Sequence, residues 1–161
     1  KYYTYIYRYI DIDISIKYYT KVNKRIVVHV GWCEKNYDGG WGDPECGIII
    51  STGRTLDDFK QDFKEALDFH IESMAEDKDT FPEWMANGQY EIEYYLHTSA
   101  LLHEAERFTT LTAISRASGI SKKVLQAYAT SEREARPQQR ERIIKALNTI
   151  GQEVLALSQL P

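Results

Sequence analysis

The chain has 161 residues, 43% of them apolar and 27% charged, enough for one or two small domains with ordinary globular cores. No run of about 18 apolar residues occurs, which argues against a helical membrane span, and the lack of an apolar leader with a small-residue cleavage site points to a cytoplasmic protein. The net charge of −4 is unevenly divided: residues 1–98 carry 11 basic and 18 acidic side chains, residues 99–161 carry 9 and 6, so the second half alone suits a polyanionic partner.

Residues 1–20 hold seven tyrosines, and Ile6, Ile10, Ile12, Ile14 and Ile16 share one face of an apolar-polar alternation. Period two with β-branched and aromatic residues is a strand pattern. It is read either as an incidental extension or as a strand that needs burial, for instance across a dimer. From Lys24 the period-two pattern returns, with Ile26, Val28, Val30 and Trp32 alternating with Val27, His29 and Cys33. Asn36-Tyr37-Asp38-Gly39-Gly40 has the composition of a turn. A short segment near Trp41 and then Gly47-Ile48-Ile49-Ile50-Ser51-Thr52 supply two more strands.

Thr55 followed by Asp58 has the spacing of a helix capping box. Leu56, Phe59, Phe63, Ala66, Leu67, His70, Ile71 and Met74 then recur at helical spacing as one apolar stripe. His70 lies on that stripe and reads as a core residue rather than a ligand. Asp77-Lys78-Asp79 and Pro82 end the helix. Tyr90, Ile92, Tyr94 and Leu96 alternate once more as a strand. Residues 21–98 are thus predicted to be an α+β domain of order β-β-β-α-β, with the helix on one face of the sheet.

Residues 99–161 read as all helical. A first helix runs from Ser99 to about Phe108, and Thr109-Thr110 caps a second from Leu111 to Ser118. Gly119 breaks that helix, and Ser121 caps a third that runs to about Thr130. Pro137 opens a fourth at its favoured first position, with Ile143, Ile144, Leu147, Ile150, Val154 and Leu155 on its apolar face. Ile114, Ser115, Gly119, Ile120, Leu125 and Tyr128 fall where a helix-turn-helix needs apolar contacts, one small contact and a turn. Its second helix would expose Ser121, Lys122, Lys123, Gln126 and Ala127. Lysine and glutamine suit guanine and adenine edges or phosphates. Arg133, Arg136 and Arg140 follow and suit the DNA backbone. A helical bundle with no DNA contact would satisfy the same spacing.

The stretch Thr110-Leu111-Thr112-Ala113-Ile114-Ser115-Arg116-Ala117-Ser118-Gly119-Ile120, followed by Leu125, Tyr128 and Arg136-Pro137-Gln138-Gln139-Arg140, resembles the helix-turn-helix of HicB-type antitoxins. Upstream, Gly53-Arg54-Thr55-Leu56 leading into Phe63-Lys64-Glu65-Ala66-Leu67-Asp68-Phe69-His70-Ile71-Glu72-Ser73-Met74 resembles the helix of that family's N-terminal domain. Gly88-Gln89-Tyr90-Glu91-Ile92 is similar to its last strand. The resemblance spans residues 24–157 in one consistent order. It implies a partial ribonuclease-H-like sheet that masks a small messenger-RNA-cleaving toxin of the HicA type. It also implies a homodimer or higher homo-oligomer that sets paired helix-turn-helices on operator DNA and so represses its own operon.

On this reading the DNA-contacting residues are Thr110, Ser121, Lys122, Lys123, Gln126, Arg133, Arg136 and Arg140, and the expected toxin contacts are Glu34, Asp38, Trp41 and Glu45. An acidic face over a basic RNA-binding toxin is complementary in charge. The chain departs from the family in Ser131-Glu132-Arg133-Glu134-Ala135, where relatives have a glycine and a basic, proline-containing turn. Its segment Asp43-Pro44-Glu45-Cys46-Gly47 is short and poor in proline, and residues 1–20 have no counterpart.

Two other readings remain at this stage. A free-standing regulator would use the α+β domain for sensing or oligomerisation. A nuclease would need metal-binding carboxylates such as Glu34, Asp38, Asp43 and Glu45, but these cluster at a turn rather than on central strands. The expectation is therefore a non-enzyme with no cofactor and no metal. Cys33 and Cys46 form no C-x-x-C pair and read as reduced thiols.

Overall fold

The structure, a computed structural model, describes residues 24–77 and 82–159; the Tyr/Ile-rich segment 1–20 lies outside them. The described residues are α+β, with four strands in one mixed sheet and six helices. In chain order these are β1 (Lys24–Cys33), β2 (Asn36–Asp43), β3 (Gly47–Gly53), α1 (Leu56–Glu76), α2 (Glu83–Ala86), β4 (Tyr90–Leu96), α3 (Thr98–Ala105), α4 (Leu111–Ser118), α5 (Lys122–Ala129) and α6 (Pro137–Leu157). The strands lie in the order β3-β2-β1-β4. By compactness the described residues divide into two units, 24–30 with 35–95, and 31–34 with 96–159.

In the first unit the alternating pattern decides which side chains go inward. Ile26, Val28 and Val30 of β1 are fully buried, as β-branched residues on one face of a pleated strand should be. β2 and β3 pair antiparallel, with Trp41 opposite Ile49 and Gly39 opposite Ser51. The turn expected at residues 36–40 is absent. Those residues open β2, and the chain reverses earlier, at Glu34-Lys35, where Glu34 takes a left-handed φ of 56°. The glycines serve packing instead. A Cβ on Gly39 would drive into the His29 carbonyl oxygen, and one on Gly40 into that of Ile49, so neighbouring backbones approach too closely for any side chain.

α1 begins as the capping-box spacing requires. Thr55 Oγ1 accepts from the Asp58 N–H at 3.0 Å and the Asp58 carboxylate accepts from the Thr55 N–H at 3.1 Å. Phe59, Phe63 and Leu67 then point inward at four-residue intervals and are fully buried, each contributing roughly 1.5–3 kcal/mol. Phe59 and Phe63 both meet the Tyr94 ring edge-on, which fixes the helix to the even-numbered face of β4. His70 is half-buried on the same stripe, its Nε2 within hydrogen-bonding distance of the Cys46 carbonyl. The short helix α2, where Trp84 meets Tyr90 edge-on, breaks no periodic pattern and was not anticipated.

In the second unit α3 to α6 enclose a core of Leu102, Leu111, Ile114, Ile120, Leu125, Tyr128 and Ile143. Trp32 belongs to this unit. Its N–H donates to Ser99 Oγ, its carbonyl accepts from Ser131 Oγ at 2.6 Å, and its ring stacks on His103 at 3.5 Å. α6 differs from expectation: Ile143 and Ala146 are buried, whereas Val154 and Leu155 are exposed. No helix among the described residues is long and apolar enough to cross a membrane.

Candidate nucleic-acid interface

α4 and α5 are eight residues each, joined by Gly119-Ile120-Ser121. Each boundary is set by a local hydrogen bond. Thr110 Oγ1 accepts from the Ala113 N–H to start α4, and Ser121 Oγ accepts from the Val124 N–H to start α5. Gly119 ends α4 with φ of 67°, a left-handed conformation that an L side chain adopts only at a cost. The turn is then tied twice, by Ser115 Oγ donating to the Ile120 carbonyl at 2.6 Å and by the Ile120 N–H donating to Ser118 Oγ at 3.2 Å. Leu125 and Tyr128 anchor α5 in the core.

With that side of α5 buried, the opposite arc faces solvent. Ser121, Lys122, Lys123 and Gln126 are all exposed, as are Thr110, Arg133 and Arg136. None of the ion pairs among the described residues involves Lys122, Lys123, Arg133 or Arg136. Four cations thus lie on or just beyond α5, and no carboxylate among the described residues is within ion-pairing distance of them. A shallow, open concavity of about 470 Å³ runs beside the helix, lined by Lys123, Val124, Gln126, Ala127, Glu132 and Arg133.

Three residues near α5 have partners distant along the chain that linear spacing does not specify. Arg140 is turned inward, its Nη2 donating to the Leu96 carbonyl at 2.7 Å, so it is half-buried and stands apart from the exposed set. Glu134 meets His97 Nδ1 at 3.3 Å; the carboxylate that lines the concavity is Glu132. Ser131 does occupy a glycine-like conformation, φ 59°, and its hydroxyl bond to Trp32 helps hold it there.

Arg142 was missed by sequence reasoning. Its Nη2 and Nε both donate to the Ser118 carbonyl, at 2.7 and 3.2 Å. That carbonyl is one of the orphan acceptors at the C-terminus of α4, where a cation is also favoured by the helix dipole. Arg142 therefore ties α6 to the turn that aims α5, and a Cβ on Gly119 would lie 3.1 Å from its Nη2. Nothing in the linear pattern distinguishes it from the arginines around it.

The four expected toxin contacts are not brought together. Glu34 sits in the β1–β2 turn and belongs to the second unit. Asp38 and Trp41 lie on opposite faces of β2 by strand alternation, opposite Thr52 and Ile49 respectively. Glu45 is exposed beyond the end of β2, where the Asp43 carboxylate accepts from the Glu45 and Cys46 N–H groups. Asp43 is thereby a turn-forming residue. Among the described residues no group of three or more His, Cys, Asp or Glu side chains is placed to hold a metal ion.

Comparison of the chain with known protein families, with characterised proteins and with solved structures finds no match.

Proposed function

We propose that this chain is a HicB-type antitoxin that masks a small messenger-RNA-cleaving toxin and represses its own operon, without catalytic activity or cofactor. The observation that carries the reading is the α4–turn–α5 pair, with Lys122, Lys123 and Gln126 on the exposed arc and unpaired Arg133 and Arg136 just beyond. That arrangement suits a helix-turn-helix whose second helix enters the major groove while flanking arginines meet phosphates.

The first unit supports the toxin-binding half of the reading. Its chain order β-β-β-α-β is that of the partial ribonuclease-H-like sheet implied by the resemblance, with α2 added before the last strand. The sheet face away from α1 exposes Ile48, Ile50 and Tyr95. The acidic residues Asp38, Glu91 and Glu93 share that face by alternation, a combination that suits a basic protein partner.

The test has two arms. Replacing Lys122, Lys123 and Gln126 by alanine abolishes binding to DNA from the chain's own promoter in fluorescence anisotropy, and leaves growth rescue intact when the adjacent small toxin gene is co-expressed. Wild-type binding also falls with salt, losing roughly 0.9 in the log-log slope per phosphate contact removed. A triple variant that binds promoter DNA like the wild type excludes α5 as the reader. A toxin that neither binds the chain nor is neutralised by it excludes the antitoxin half and leaves a free-standing regulator.

A further inference from the structure

Past the last turn of α5 the backbone folds back and is held on that helix. The Ser131 N–H donates to the Tyr128 carbonyl at 3.3 Å and the Arg133 N–H to the Ala127 carbonyl at 3.0 Å. Ser131, at a φ of 59°, is also tied through its hydroxyl to the Trp32 carbonyl. Glu132 lies between these two anchored residues, and it lines the concavity of about 470 Å³ together with Lys123, Val124, Gln126, Ala127 and Arg133. No ion pair among the described residues joins Glu132 to Lys123 or Arg133. One open surface therefore carries an ammonium and a guanidinium that only donate, an ionised carboxylate that only accepts, and an amide that does both. Val124 and Ala127 supply its apolar part. A carboxylate is unfavourable wherever phosphates approach, so attraction to the DNA backbone gives no reason for Glu132 to stand there.

We infer that Glu132 is a specificity-determining residue that accepts a hydrogen bond from the 4-amino group of a cytosine, while Lys123 or Arg133 donates to the guanine paired with it. The assignment rests on the proposed helix-turn-helix and adds to it the base pair that this concavity takes. In the major groove a G·C pair presents guanine O6 and N7 as acceptors and cytosine N4 as a donor. That is the complement of cations beside one carboxylate. Thymine in place of the cytosine turns its O4, an acceptor, towards the carboxylate, and the charge is then desolvated without a partner. Two roles for Glu132 are separable on this basis. A carboxylate that merely lowers the local positive charge weakens binding to every sequence alike, whereas one that meets an amino group penalises all sequences except those that carry it.

Selection of bound duplexes from a random DNA library, with the full wild-type chain and with Glu132→Ala, tests the assignment. Glu132 is exposed, so the substitution leaves the core intact, as an unchanged far-ultraviolet circular dichroism spectrum checks. The wild type selects one position at which cytosine is preferred over thymine by roughly 5- to 150-fold, the range of one good base contact. Glu132→Ala loses that preference and keeps the rest of the selected site. Replacing that cytosine by 2-pyrimidinone, which lacks the 4-amino group, weakens the wild type by a similar factor and leaves Glu132→Ala unaffected. Identical preferences in the two proteins overturn the inference, as does a Glu132→Ala chain that binds every duplex more tightly by one common factor, the signature of charge alone. Either result leaves the helix-turn-helix reading standing, whereas a wild type that enriches no sequence overturns that reading and the inference with it.

Discussion

Where the first unit buries Ile26, Val28 and Val30 at period two beneath a helix that supplies Phe59, Phe63 and Leu67, the second buries Leu111, Ile114, Leu125 and Tyr128 from eight-residue helices. The sheet is held by strand pairing and aromatic contacts onto Tyr94. The short helices are too brief to be stable on their own, and three of their four ends are fixed by the side chains of Thr110, Ser121 and, from α6, Arg142. The difference matters for the proposed roles. A sheet offers a broad face of fixed register to a protein partner, whereas the aim of a reading helix depends on a few hydrogen bonds at one turn.

The sharpest way to break this comparison is to hollow each core in turn. Phe63→Ala costs about 3–5 kcal/mol and Leu125→Ala about 2–5 kcal/mol, read by thermal unfolding. If the units act separately, Phe63→Ala impairs toxin neutralisation first and Leu125→Ala impairs promoter binding first. Loss of both activities with either variant would show one cooperative body.

The thiols give a chemical contrast. Burial, reinforced by the nearby Asp43 carboxylate, pushes the Cys46 thiol from 9.0 up to about 11, while Cys33 is exposed. Because the raised value favours the protonated thiol in the folded state, this contribution to stability is complete below pH 9.0 and is lost as pH rises through about 11. A two-unit rise lowers the thiolate fraction near pH 8 by about 100-fold. Iodoacetamide at that pH thus labels Cys33 and spares Cys46 in the folded chain, as peptide mass spectrometry would read; equal labelling would contradict the burial.

Arg142→Ala leaves the Ser118 carbonyl without its charged donor and costs about 1.5–3 kcal/mol. It weakens promoter binding more than it lowers the melting temperature of the first unit, since the bond acts on the turn before α5. Arg142→Lys restores the charge but not the two-nitrogen contact, and its binding lies between wild type and alanine. Identical affinity in all three proteins would remove Arg142 as a positioning residue.

The smallest effect compares two caps. Thr55→Ala and Thr110→Ala each cost about 1 kcal/mol, with Thr55 the larger because its loss also disturbs the reciprocal Asp58 bond. Equal losses in urea titration would mean that the Asp58 half of the box contributes nothing.

The chain's own order of residues determined several features that close within a few positions: the Thr55–Asp58 box, the Thr110 and Ser121 caps, the left-handed Gly119, Pro137 at the head of α6 and the inward sides of β1 and β4. Each depends on a bond three or four residues long or on a fixed period, so linear spacing suffices. Tertiary structure alone decided that Gly39 and Gly40 line a strand and not a turn, because the backbones they admit belong to β1 and β3. It likewise turned Arg140 onto Leu96, engaged Glu134 with His97 at 37 residues' separation, and gave Arg142 the end of α4 while leaving Val154 and Leu157 bare. In each case the partner is distant along the chain, and a residue's type limits the bonds it can make without choosing which distant group will come within reach.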